Sequence, residues 1–216
     1  MYVRRERTEP PLKMTDSKTI RNNDHGFSLI EMMIVIAILL ILAAFSVPTL
    51  MTTISDIGLR YAATNLSGLL QTARIQAVKR NTFYGIVPTT LPNADTGYFV
   101  NLQGGTYVAG NPMVPMGSQI QVFQGIGSGA PNEGVFVAGL GFAVMPGGTV
   151  PSFNARGLPC SPTVANTCPQ NAGQGFVLFL KRGSPFGDIR WASLVVNPSG
   201  RVQVWTCDAN GNWIQR

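Results

Sequence analysis

Histidine is almost missing from this 216-residue chain: there is one, His25. Acids are scarce too, ten in all, and only 12% of residues are charged. Beyond position 26 the acids are Glu31, Asp56, Asp95, Glu133, Asp188 and Asp208, widely spaced and without a histidine among them. That excludes Ser/His/Asp and Cys/His nucleophilic constellations there, and it leaves no close carboxylate pair for acid/base work. The three cysteines, Cys160, Cys168 and Cys207, have neither histidine nor an acidic cluster beside them, so no metal site is expected. Gly125-Ile126-Gly127-Ser128-Gly129 has the look of a phosphate loop, but Pro131 follows where a helix should begin, and the segment reads as a turn. No catalysis and no cofactor are expected.

Charge is missing from one stretch above all. From Met32 to Ser55 no residue is charged, and the apolar run starts at Phe27 with a single interruption, Glu31. Phe27 to Leu50 is 24 residues, about 36 Å as a helix, against a hydrocarbon core of about 30 Å. Ahead of it lie Arg4, Arg5, Arg7, Lys13, Lys18 and Arg21. A secretory signal puts its apolar stretch before the cleavage site; here the polar segment comes first. Basic flanks stay cytoplasmic, so residues 1–26 are expected inside and everything after Leu50 outside. A carboxylate inside such a run costs roughly 2.5–3.5 kcal/mol at mid-bilayer, less toward the interface, and ordinarily has a partner. An ordinary single-pass anchor accounts for the length and orientation but not for Glu31.

Gly26-Phe27-Ser28-Leu29-Ile30-Glu31, followed by about twenty apolar residues that include Pro48, resembles the class III leader of type IV prepilins and type II secretion pseudopilins. The resemblance implies cleavage after Gly26 by prepilin peptidase and N-methylation of Phe27. It implies that Glu31 neutralises the terminal amine of a neighbouring subunit, and that Pro48 belongs to the assembly helix. It also implies partners (other pilins or pseudopilins and an inner-membrane assembly platform) and a bacterial inner-membrane location with a periplasmic C-terminal domain. A 26-residue leader is long for this class; a start at Met14 would give 13 residues, and both starts stay open.

Without residues 1–26, 190 residues remain, enough for one anchor helix and one domain. Twenty-four glycines and fifteen prolines suggest short strands with many turns. Residues 51–81 read as an amphipathic continuation of the helix, with Leu59, Ala62, Leu66, Leu69, Leu70, Ala73 and Ala77 at three- and four-residue spacing. Pro48 and Gly58 are the places to expect a bend. Across residues 82–216 strands are predicted at Thr82–Val87, Tyr98–Leu102, Gln119–Phe123, Gly134–Ala138, Gly141–Met145, Phe176–Leu180, Trp191–Val196 and Arg201–Trp205. Asn197-Pro198-Ser199-Gly200 suits a type I turn before the last of them. The fold class is α+β, a long N-terminal helix packed on antiparallel sheet.

Within the pilin class, the run Leu70 to Asn81 resembles the helix end of the GspH/FimT minor pseudopilins, and Phe153-Asn154-Ala155-Arg156-Gly157 and the Val195–Val202 hairpin resemble that family's later strands. The function implied is a structural subunit of a type II secretion pseudopilus, supporting protein secretion, or of a type IV pilus; both stay open. Cys160 and Cys168 bracket a Pro/Thr/Asn-rich loop and form the favoured disulfide; pairing of either with Cys207, or no pairing, are the alternatives. From Arg156 onward six Lys/Arg face two acids. Lys181, Arg182, Arg190 and Arg201 near tryptophans could hold strand phosphates and stack bases. With the FimT resemblance, which implies a link to DNA uptake, they support a second reading, DNA capture, against a plain solvated basic face.

Overall fold

The structure is a computed structural model. It describes residues 27–93, 95–102, 107–108, 110–163, 167–169, 173–183 and 189–216. By contacts the chain divides into Met1–Ala43 and Ala44–Arg216. In chain order the elements are α1 (Leu29–Arg80), β1 (Tyr84–Thr90), β2 (Thr96–Leu102), β3 (Met113–Pro115), β4 (Ile120–Gln124), α2 (Glu133–Gly139), β5 (Ala143–Val144), β6 (Ser152–Phe153), β7 (Pro159–Cys160), β8 (Gln174–Gly183), β9 (Ile189–Val196), β10 (Val202–Cys207) and β11 (Trp213–Gln215). The architecture is α+β: one long helix followed by antiparallel sheets.

In the larger unit, all seven apolar positions predicted for the inner face of α1 are buried, with Ala63 joining them. Four of these eight side chains are alanines, so strands can approach the helix closely while burial of the leucines supplies about 1.5–3 kcal/mol each. The helix ends where Asn81 takes a left-handed φ of 49°. The Thr82 N–H then reaches the Ala77 carbonyl at 3.1 Å and the Asn81 N–H that of Val78 at 3.3 Å. These are the paired bonds of a Schellman stop, for which asparagine is a tolerated residue.

Two sheets cover that stripe. The first runs β3-β2-β1-β6-β7 and the second β11-β10-β9-β8-β4, with β5 added to β8 as a parallel bridge. Tyr84, Ile86, Tyr98 and Val100 of the first sheet, and Phe176, Leu178, Leu180, Ala192, Leu194 and Val196 of the second, share one core with α1. The intervening residues of the second sheet, Val177, Phe179, Trp191 and Val195, form another core with Phe136 of α2. Successive strand residues point to opposite faces. The second sheet is therefore buried on both, which is why β8 and β9 read as continuous apolar runs.

One element departs in kind from expectation. Gly134–Ala138 is helical, not a strand: the Phe136 N–H bonds the Asn132 carbonyl at 2.9 Å. The apolar run Val135-Phe136-Val137 mimics a strand, but Glu133, the first residue of α2, ties the helix to the preceding turn. Its carboxylate accepts the backbone N–H groups of Gly127 (2.8 Å), Ser128 (3.2 Å) and Gly129 (3.2 Å). The glycine-rich segment is a turn, and its anion-seeking N–H cradle is filled by a side chain of the same protein. Three short strands, β3, β7 and β11, were not anticipated, and Gly141–Met145 shrinks to Ala143–Val144. Of the Phe153–Gly157 stretch likened to a strand only Phe153 is in one, β6, and the rest is a turn. In β10 neither face is bare: Val202 and Val204 meet the first core while Trp205 meets the second.

Tyr98 faces the first core, and burial pushes its phenol up to about 12. Its neutral form is favoured in the fold, so its contribution is intact below the ordinary tyrosine value near 10 and is lost as pH rises toward 12. One group can remove about 1.4 kcal/mol per pH unit over that window. Urea melts of the detergent-solubilised chain at pH 9 and 11.5 should show this loss in the native protein and much less of it in Tyr98→Phe. Identical losses in both would contradict the assignment.

Candidate functional site

The N-terminal candidates are built on the first turns of α1. Gly26 lies outside the described residues. Phe27 precedes the helix and is 77% exposed, and Glu31 sits in its first turn, also exposed. The Ser28 carbonyl accepts the Met32 N–H at 3.1 Å, so Ser28 holds the N-cap position and Glu31 the third helical position. Ser28-x-x-Glu31 has the spacing of a capping box, a local signal that the charge argument alone passes over. The helix N-terminus also carries a partial positive charge that suits an acid. Among the described residues Glu31 has no ion-pair partner. The apolar side chains Phe27 to Met51 described around it are all exposed. Pro48 lies inside α1, which is continuous through it and through Gly58.

The C-terminal candidates separate. Lys181 and Arg182 on β8 stand directly across from Trp191 and Arg190 on β9. The Lys181 ammonium lies 5.6 Å from the centre of the Trp191 ring. Arg190 reaches Asp56 of α1 at 3.4 Å. Arg182 lies over Gly58, where any side chain would collide with its guanidinium, and its Nη2 is 3.5 Å from the Gln119 carbonyl oxygen of the side-chain amide. Arg201 is exposed beside the β9–β10 turn, at the other end of β9, about 20 Å along the strand at 3.3 Å per residue. The structure thus brings three of the four basic residues together and engages them with the helix and Trp191.

Cys160 and Cys168 are joined in a disulfide with Cα atoms 5.3 Å apart. Cys207 is free and half-buried; burial first, then the neighbouring Asp208 charge, push its thiol up, away from the reactive thiolate.

One cluster escaped sequence reasoning. The Arg74 Nε donates to the Gly157 carbonyl at 2.9 Å, and Nη2 to the Ser199 carbonyl at 3.3 Å. Gly157 (φ 73°) and Gly200 (φ 80°) both adopt the left-handed conformation next to that guanidinium. Ala73-Arg74, Asn154–Gly157 and Asn197–Gly200 therefore meet at one point. The signal lay in the pairing of two Asn-x-x-Gly turns with a basic residue beside the buried helix stripe.

A lone acid at the head of a long helix whose first half is apolar and exposed, followed by antiparallel sheets, is a pilin-like α+β architecture and fits membrane anchoring. Residues 21–47 match the family described as the prokaryotic N-terminal methylation motif, the class III prepilin leader, which fits a type IV pilin-like protein. No curated protein and no solved structure matches the chain.

Arg74→Ala should destabilise the domain by about 2–3 kcal/mol, since a charge-assisted donor to two carbonyls is lost. Gly200→Ala should cost more than Gly157→Ala. An added Cβ at 200 would strike the Gly157 backbone oxygen, whereas at 157 it meets flexible side-chain atoms of Arg74 and Val78. Denaturant midpoints of the three variants check the order; equal midpoints for the two glycine variants would refute it.

Proposed function

We propose that the chain is a minor pseudopilin of the GspH/FimT type, a non-enzymatic structural subunit of a type II secretion pseudopilus or a type IV pilus. It is trimmed after Gly26 by prepilin peptidase, methylated at Phe27, and assembled through the apolar half of α1. Residues 1–26 lie in the cytoplasm and the β-rich domain in the periplasm before assembly, as the basic leader favours.

The observation that carries this reading is Glu31, an exposed carboxylate without an ion-pair partner among the described residues, in the first turn of an apolar helix inside the matched motif. A charge and an amine stranded separately in low dielectric each cost several kcal/mol, and pairing across subunits offsets much of it. The subtype draws support from the meeting of its three look-alike stretches at Arg74. DNA capture draws less support, because Arg182 and Arg190 are engaged with α1 and Arg201 stands apart from them.

Glu31→Ala should leave membrane levels and processing intact while lowering incorporation into sheared filaments by about tenfold or more, the equivalent of about 1.4 kcal/mol. Wild-type incorporation would remove the role assigned to Glu31. Gly26→Phe should accumulate precursor, and mass spectrometry of the native mature chain should find methylated Phe27 at the amino terminus. Unchanged mobility of the Gly26→Phe chain, or a different mature terminus, would remove the leader assignment.

A further inference from the structure

On the face of the second sheet turned away from α1, a cavity of about 1030 Å³ opens between α2, the β9–β10 turn and the β10–β11 turn. That is the upper end of the range of roughly 300–1,000 Å³ seen for small-molecule sites. Its aromatic wall is locked before any ligand arrives. Phe136 stacks on Trp213 at 4.6 Å and 26°, and Trp205 meets Phe136 edge-on at 5.3 Å and 70°. The Trp213 indole N–H is fixed on the Pro131 carbonyl at 2.9 Å. Preformed rings lower the ordering cost of binding.

Polar groups ring the aromatics. Gln203 makes no side-chain hydrogen bond among the described residues. Asn132 and Asn212 each donate through Nδ2, to the Gly211 carbonyl at 3.0 Å and to Asp208 Oδ2 at 3.1 Å, which leaves their amide oxygens as acceptors. Asn197 is the reverse: its Oδ1 accepts from Ser199 Oγ and the Arg201 N–H, leaving Nδ2 to donate. Among the described residues lining the cavity, none carries a charge.

We propose that this cavity binds a neutral oligosaccharide. Sugar C–H groups carry partial positive charge and suit the negative faces of aromatic rings. Sugar hydroxyls both donate and accept, which matches a rim of mixed amide donors and acceptors. A nucleic acid or acidic glycan would find no counter-charge in the lining, and an acyl chain would leave the amides unsatisfied.

The test is a glycan array carrying neutral and acidic glycans, probed with the full-length chain in a detergent without a sugar headgroup. Neutral oligosaccharides should be retained and acidic ones not. Retention should vanish in Gly139→Arg, a position on the cavity wall where an added Cβ meets nothing within 4 Å. It should weaken up to about tenfold in Gln203→Ala, the effect of one lost hydrogen bond. Thermal melts of both variants should match the native chain, which separates loss of the site from loss of the fold. Absence of any neutral glycan, equal retention by the Gly139→Arg chain, or equal retention of acidic glycans overturns the proposal.

Discussion

One guanidinium ties a turn of each sheet to the long helix. Arg74 follows Ala73, a member of the buried stripe of α1 that shares a core with both sheets. From there it bonds a turn of each. The Gly157 carbonyl belongs to the β6–β7 turn of the first sheet, and the Ser199 carbonyl to the β9–β10 turn of the second. The two sheets share no strand, so they need an interaction of this kind in addition to the common apolar core. The turns also touch each other, since a side chain on Gly200 would occupy the space of the Gly157 oxygen. A planar, permanently charged group with several donors suits this task; a lysine ammonium would have to choose among the carbonyls as a point charge.

Arg74 also has a consequence on the far side of the second sheet. The turn it grips contributes Asn197, Pro198 and Ser199 to the cavity wall. The opposite wall, α2, is held by the Glu133 carboxylate in its backbone N–H cradle and by the Asn132 bond to Gly211. The third side, the β10–β11 turn, is organised by Asp208, whose carboxylate accepts the Asn210 and Asn212 N–H groups. Hydrogen bonds from the Asn212 backbone and side chain, then from the Asn210 N–H, hold its pKa below the ordinary carboxylate range. Each wall thus has a side chain that fixes it, and the aromatic floor between them is packed. A cavity bounded in this way keeps its shape without a ligand, unlike a gap between loops.

How legible all this was depended on the range of the forces involved. The helix and its inner face were readable because a 3.6-residue period is a local pattern, and the 19 residues from Leu59 to Ala77 obeyed it. The long strands were readable because apolar content marks a sheet buried on both faces. The two- and three-residue strands β6, β7 and β11 carry too few residues for any pattern; only pairing with a distant partner makes them strands. The helix α2 was hidden because its Val-Phe-Val run is as apolar as a strand, while the contact that ties it down, the Glu133 carboxylate on the Gly127 N–H six residues away, leaves no periodic signal. The basic residues illustrate the same limit. A count of charges late in the chain is correct, yet whether Arg190 faces solvent or Asp56 depends on a contact across 134 positions, which composition does not encode.

The helix α1 joins two surfaces with opposite requirements. Between Leu59 and Ala77 one face is already covered by the protein's own sheets, and small residues make the fit close. Between Phe27 and Met51 the described apolar side chains are exposed all round, so this stretch needs either lipid or other helices. Lipid satisfies leucine, isoleucine and methionine equally well, and an anchor needs nothing further. It does not satisfy Glu31. A capping bond from Glu31 to the start of its own helix would offset part of the penalty, but it would leave the negative charge in place. A positive group brought by another chain would pair that charge and offset much of the penalty. That is the physical reason to regard the segment as a surface for assembly as well as an anchor.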